Sequence, residues 1–218
     1  MKAHRQVTTA IGALLFSVLT VSFASASTVS YTGSFTSDDQ VQLFTFSLAS
    51  PSDITLETLS YGGGMNGNGQ KIPEGGFEPV LSLFSGTGLF LNASGANGSC
   101  PPQTVDSATG LCGDAFLMQS GLAAGKYTVA LTEFFNVANG PTLAAGFLEG
   151  GAGNFTGVSC GISGGSFLDE TCAQRTSNYA LDITTSPSTS ATPEPASFWL
   201  ILPGAALFLF ARLRPKRA

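Results

Sequence analysis

The chain has 218 residues, a formal net charge of −5 and a single histidine, His4. Between residues 27 and 192, three basic side chains (Lys71, Lys126, Arg175) stand against thirteen acidic ones, a net of −10. That balance excludes a nucleic-acid surface, which needs Lys and Arg to neutralise phosphates. With no imidazole beyond His4, Ser-His-Asp and Cys-His catalytic arrangements are excluded too.

In chain order, Lys2, His4 and Arg5 precede the apolar run Ala10 to Phe23, and Ala24-Ser25-Ala26 follows. These are the three regions of a secretory signal, so residues 1–26 are expected to be a signal peptide removed by signal peptidase. The apolar run of about 14 residues falls short of the roughly 20 that a retained span needs. Beyond it the chain is rich in Gly, Ser, Thr and Phe. Val41–Leu48 alternates, with Phe44, Phe46 and Leu48 on one side and Thr45 and Ser47 on the other; Ile54–Leu59 alternates through Ile54 and Leu56, with a slip before Leu59. Period two with aromatic and β-branched residues predicts half-buried strands. Further strands are predicted at Ser30–Phe35, Val80–Phe84, Leu89–Asn92, Ala115–Gln119, Tyr127–Phe134, Leu143–Leu148 and Tyr179–Thr184. The expected fold over residues 27–184 is therefore all-β: an antiparallel, jelly-roll-like β-sandwich of about 8–9 strands. The glycine-rich Tyr61–Gln70 and residues 149–166 read as surface loops. The Ser, Thr and Pro of residues 185–192 read as a linker.

Cys100, Cys112, Cys160 and Cys172 form two pairs, each 12 apart. An even count in an exported chain reads as disulfides, with three possible connectivities, of which proximity favours Cys100–Cys112 and Cys160–Cys172. Thiolate zinc sites usually show closer Cys-x-x-Cys pairs, which are absent. Asp38-Asp39, with Glu78, Asp114 and Glu133 as further ligands, is a candidate calcium shell, since calcium takes six to eight oxygens. The competing reading is a solvated turn whose Asp side chains bond nearby amides, and no spaced Asp-x-Asp loop argues against it. The aromatics Phe84, Phe90, Phe134, Phe135, Phe147 and Phe155 read as core rather than as a sugar platform, for which Trp and Tyr are better suited. No pair of acids stands out as a glycosidase pair.

The C-terminal segment has three parts: Pro193-Glu194-Pro195, an apolar stretch over residues 196–211, and a basic tail of Arg212, Arg214, Lys216 and Arg217. Sixteen residues rise about 24 Å as a helix, short of the roughly 30 Å hydrocarbon core. The basic tail is expected on the cytoplasmic side. Pro203-Gly204 in mid-span weakens a permanent anchor. This segment, residues 193–218, resembles the PEP-CTERM sorting signal of Gram-negative bacteria, with a transmembrane helix at 196–211. The resemblance implies processing by an exosortase near Pro193–Pro195 and a setting of exopolysaccharide and biofilm. Asp38–Leu48, Gly75–Phe84 and Ala124–Thr132 resemble the bacterial pre-peptidase C-terminal type of β-sandwich, an accessory module without known catalysis; an Asp often stands in that pattern where this chain has Glu78. The expectation is an exported, non-enzymatic surface or matrix protein that needs no cofactor and is anchored in the inner membrane at least transiently. The alternative is a carbohydrate- or calcium-binding module retained on a single membrane span.

Overall fold

The alternating segments pair as antiparallel strands in two sheets. The computed structural model describes residues 25–95 and 103–188. Most of the signal peptide, Cys100, residues 189–192 of the expected linker, and the sorting segment with Pro193, Glu194 and Pro195 lie outside the described residues.

One sheet holds β1 (Ser27–Ser34), β10 (Asn178–Pro187), β3 (Ser52–Thr58) and β8 (Phe116–Leu122), in that order. The other holds β2 (Gln42–Leu48), β9 (Gly125–Glu133), β6 (Pro79–Ser85) and β7 (Phe90–Ser94). A hairpin of β4 (Gly64–Met65) and β5 (Lys71–Ile72) stands apart. Taken in chain order, consecutive sheet strands cross from one sheet to the other at every step except the β6–β7 hairpin. That is the strand order of a jelly roll, in which two Greek keys close a sandwich. The jelly-roll-like sandwich read from the sequence is therefore the fold.

Register follows from which side chains each strand must bury. Along β2, Phe44 and Leu48 are buried and Leu43 is exposed, and Phe44 lies opposite Val129 of β9. Along β3, Ile54 and Leu56 are buried, with Leu56 opposite Ile183 of β10 and Leu117 of β8. These residues meet Leu81, Leu83, Val129 and Leu131 of the second sheet in one continuous core. Each fully buried aliphatic or aromatic side chain contributes about 1.5–3 kcal/mol relative to exposure. One end of the core is closed by rings: Phe35 packs on Phe77 at 4.7 Å and Tyr31 on Phe44 at 4.7 Å.

Strand β6 is buried on both faces, because the excursion after β9 folds back over its outer side. Phe84 lies 5.8 Å from Phe90 and 6.4 Å from Phe147, and the Leu143 amide donates to the Gly88 carbonyl. The excursion is not the strand expected over Leu143–Leu148. Leu143–Ala145 is a single 3-10 turn, and Gly146, at φ 76°, turns the chain out of the extended region. Its amide is spent on Leu143 inside the turn, and what pairing remains is single antiparallel bridges, Thr142 with Leu89 and Phe147 with Ala138, outside both sheets.

Two expected surface loops are also corrected. Tyr61 and Asn66 in the glycine-rich stretch are buried. The Asn66 carboxamide oxygen accepts the amides of Asn68 and Gln70, and Asp182 accepts that of Gly67, fastening the loop to β10. Residues 149–166 contain a short helix, α1 (Phe155–Ser159), whose Phe155 and Thr156 are buried. Strand β10 continues to Pro187, so residues 185–187, expected as linker, pair with Ile54, Asp53 and Ser52. Among the described residues no helix is long and apolar enough to cross a membrane.

Candidate ligand cavity

At one end of the sandwich, the turns entering β2 and β6 and leaving β9 meet α1 and the segment Phe167–Cys172. Acidic side chains from the three turns and from the segment Phe167–Cys172 gather there, against α1. Asp38 is fully buried; its Oδ1 accepts the Phe167 amide at 2.9 Å, and its Oδ2 accepts the Thr156 amide at 3.1 Å and the Thr156 hydroxyl. Asp39 accepts the Ser37 hydroxyl at 2.6 Å and the Gly151 amide at 3.1 Å. The Ser37 hydroxyl holds its carboxyl below the ordinary range, outweighing burial. Asp38 thus ties the turn before β2 to Thr156 and Phe167, far along the chain, and Asp39 joins its neighbour Ser37 to the Gly151 turn, so the solvated-turn reading does not hold for the buried Asp38.

Behind them, Glu78 and Glu133 are buried without such support. Glu78 Oε2 accepts the Glu170 amide at 3.1 Å, while its Oε1 has no partner. Burial pushes Glu78 up to about 7, helped by the charges of Glu170 and Asp169. Neither carboxylate oxygen of Glu133 has a partner. Burial first, then the charges of Asp38, Glu78 and Asp169, push it up to about 10. An unpaired buried carboxylate is too costly to ionise, so Glu133 is held as the neutral acid at neutral pH, while Glu78 stands near its midpoint.

Of the five acids in the candidate calcium shell, Asp38, Glu78 and Glu133 come into one neighbourhood. Asp39 faces the Gly151 turn instead. Asp114 is used elsewhere: its Oδ1 accepts the Thr58 hydroxyl at 2.9 Å and the Tyr61 amide at 3.1 Å, and its Oδ2 accepts the Gly62 amide at 2.8 Å. A Cβ on neighbouring Gly113 would stand 2.6 Å from the Tyr61 ring, which explains why only glycine fits there. Among the described residues no group of three or more His, Cys, Asp or Glu is arranged to hold a metal ion.

Sequence reasoning missed a second constellation. Tyr61 Oη donates to Asp169 at 2.9 Å, and Arg175 lies 3.8 Å over the Tyr61 ring. Arg175 Nη2 donates to Asp106 Oδ2 at 3.0 Å and to the Tyr61 carbonyl at 2.9 Å, and its Nε donates to the Gly76 carbonyl at 3.1 Å. Burial raises the Asp106 and Asp169 carboxyls, but Arg175 and Thr109 for one, and Thr171, Ala173 and Tyr61 for the other, overcome it and leave both lowered. This buried network ties together segments far apart in the chain, and no local sequence pattern announces it.

Beside the acids opens a cavity of about 490 Å³, lined by Phe135, Leu148, Leu168, Glu149, Glu170 and the disulfide-bonded pair Cys160 and Cys172. Its size falls within the 300–1,000 Å³ typical of small-ligand sites. Two of its residues, Phe135 (φ 59°) and Cys172 (φ 62°), and the adjacent Phe167 (φ 52°), are the non-glycine residues at positive φ among those described. A bulky residue at positive φ is strained, and such strain gathers at ligand sites. The aromatic expectation splits here. Phe84 and Phe155 are buried as expected, but Phe90 and Phe135 are exposed, and Phe135 packs on Phe134 at 3.9 Å. A second cavity, of about 590 Å³, lies between the β4–β5 hairpin and Thr104. Its one acid, Glu74, is occupied by the Ser107 amide and hydroxyl.

Cys160 and Cys172 form the disulfide that proximity favours, with 5.6 Å between their Cα atoms. Cys112 is disulfide-bonded as well. No family model and no curated protein matches the chain. Among solved structures it is similar to the pre-peptidase C-terminal domain of collagenase from Bacillus anthracis, at 12% identity and a TM-score of 0.33, over 72% of this chain and 88% of that one.

Proposed function

We propose that this is an exported, non-enzymatic surface or matrix protein, a disulfide-stapled acidic β-sandwich delivered by its signal peptide and sorted by an exosortase. The observation that carries the reading is the tripartite tail: Pro193-Glu194-Pro195, the apolar stretch over residues 196–211, and the four basic residues after it. Its likeness to the PEP-CTERM signal supplies the exosortase, the Gram-negative envelope and the setting of exopolysaccharide and biofilm. The Cys160–Cys172 disulfide supports export, since such bonds persist in oxidising compartments and are rare in the cytosol. The resemblance to the pre-peptidase C-terminal sandwich agrees with an accessory role. Mass spectrometry of the mature protein tests it. The expected product begins at Ser27 and ends near Pro195; an end still at Ala218 in cells that contain an exosortase overturns the sorting step.

The cavity beside Phe135 favours a second reading, the carbohydrate-binding form of a module retained on one membrane span. Calorimetry with the producing organism's polysaccharide decides it, and an absence of heat removes it.

A further inference from the structure

We infer that the cavity beside Phe135 binds an amino sugar borne on a polysaccharide, its ammonium held by Glu149 and Glu170 and its ring laid against Phe135. The inference rests on the reading of the protein as a matrix component and names the ligand class of that role.

Three observations converge on this ligand. Phe135 is 50% exposed and held at φ 59° with its ring packed on Phe134, so the fold keeps an apolar ring at the cavity against both solvation and backbone preference. Such a face matches the C–H face of a pyranose. Next, the cavity wall contains Glu149, Asp169 and Glu170 and no basic residue. Asp169 is satisfied by Tyr61, Thr171 and Ala173. The side chains of Glu149 and Glu170, by contrast, make no hydrogen bond or ion pair among the described residues. Finally, the backbone of Glu170 is fixed from behind the wall, its amide donating to Glu78 Oε2 at 3.1 Å. The wall therefore offers unmatched carboxylates and no positive charge.

A neutral sugar would leave those carboxylates unmatched. A bare metal ion lacks the required ligand group, since no three acids among the described residues are arranged to hold one. A lysyl chain would satisfy the charge and leave the flat face unused. An amino sugar supplies the cation, the hydroxyl donors and the apolar ring face together. A net of −10 over residues 27–192 would draw a cationic polymer to the domain.

Calorimetry on the purified full-length protein in detergent tests this, with a glucosamine hexamer, its fully N-acetylated counterpart and hexalysine as probes. The glucosamine hexamer is expected to bind, and the acetylated one to bind at least tenfold more weakly, because acetylation removes the charge. The double substitution Glu149→Gln with Glu170→Gln is expected to weaken binding at least tenfold without moving the unfolding midpoint. Phe135→Asn, which keeps a residue tolerant of positive φ, should weaken both sugars alike. No heat with the glucosamine hexamer, equal affinity for the two sugars, equal or tighter binding of hexalysine, or a double variant that binds like the wild type would each overturn the inference. Cell fractionation reports separately on export, so a surface-located protein that ignores glucosamine sinks this inference alone.

Discussion

Glu133 and Glu78 are the residues whose protonation this fold controls most strongly. Both have folded values raised above the ordinary 4.5, to about 10 and about 7, by burial first and neighbouring acids second. A raised carboxyl binds its proton more tightly when folded, so the stability it confers is complete below pH 4.5. That stability is lost as pH rises, through about 7 for Glu78 and on towards 10 for Glu133. The loss is at most about 1.4 kcal/mol per pH unit for each group. Urea unfolding at pH 5, 7 and 9 should therefore show falling stability, and Glu133→Gln should flatten the fall above pH 7; a wild-type protein equally stable at pH 5 and 9 contradicts the assignment. Arg175 marks the opposite case, a charge the fold fully pairs. Its side chain and that of Asp106 are 4% and 1% exposed at 3.0 Å. Arg175→Met leaves Asp106 Oδ2 and the Gly76 carbonyl without their donor and strips the buried carboxylate of its counter-charge, and is expected to cost about 3–5 kcal/mol in denaturant unfolding. Of the solvated turn read at Asp38-Asp39, only the Ser37 hydroxyl on Asp39 is local; Asp38 is buried and takes its amides from Thr156 and Phe167, which no local pattern reveals. Nor could the setting of Glu133 be read, since its neighbours Asp38, Glu78 and Asp169 come from distant segments.

At the scale of elements, what was legible was what the backbone period encodes. Strands β2 and β3 were placed within a few residues, because alternation is a local signal tied to a buried face; β6 and β9, buried almost throughout, were marked by short apolar runs between turn residues. Leu143–Leu148 had apolar residues too, yet it covers Phe84 from outside the sheet, and Gly146 removes the extended geometry a strand needs. The glycine-rich Tyr61–Gln70 was misjudged for the converse reason. Composition signals turns, while burial comes from Asp182, a partner more than a hundred residues on. The element around α1 is held by Cys160–Cys172, two cavity residues with a sequence separation of 12. Replacing both with Ser opens that loop and should lower stability by about 2–3 kcal/mol in the chain-entropy account. The same change should weaken glucosamine binding far more than Tyr127→Phe does, since Tyr127 donates to the Ala123 carbonyl and lies outside the cavity wall. Thermal unfolding and calorimetry on the two variants separate these effects, and equal losses of binding would show that the disulfide does not shape the site.

For the whole molecule, composition and turn spacing pointed to a sandwich, but the order in which its strands pair was not readable, because β1 finds its partner some 150 residues away. That long-range closure makes the end of β10 decisive for the domain's boundary. A domain ending at residue 184 looks sufficient from the apolar pattern, since Leu181 and Ile183 are its last core residues in β10. The structure adds three more pairs: Thr185, Ser186 and Pro187 opposite Ile54, Asp53 and Ser52, with Thr185 also opposite Ser27. At about 0.2–1 kcal/mol per cross-strand pair, these are expected to contribute about 1–3 kcal/mol. Two chains starting at Ser27, one ending at Ile183-Thr184 and one at Ser188, should therefore both fold, with the shorter less stable by that amount in urea and its Ile54 and Leu56 amides exchanging faster. The longer should match the stability of the same domain in the full-length protein, because its sheets and core are complete before the tail begins. Indistinguishable stabilities for the two fragments would place the boundary at 184 after all, and a longer fragment that fails to fold would mean that the segment beyond Ser188 takes part in the sandwich.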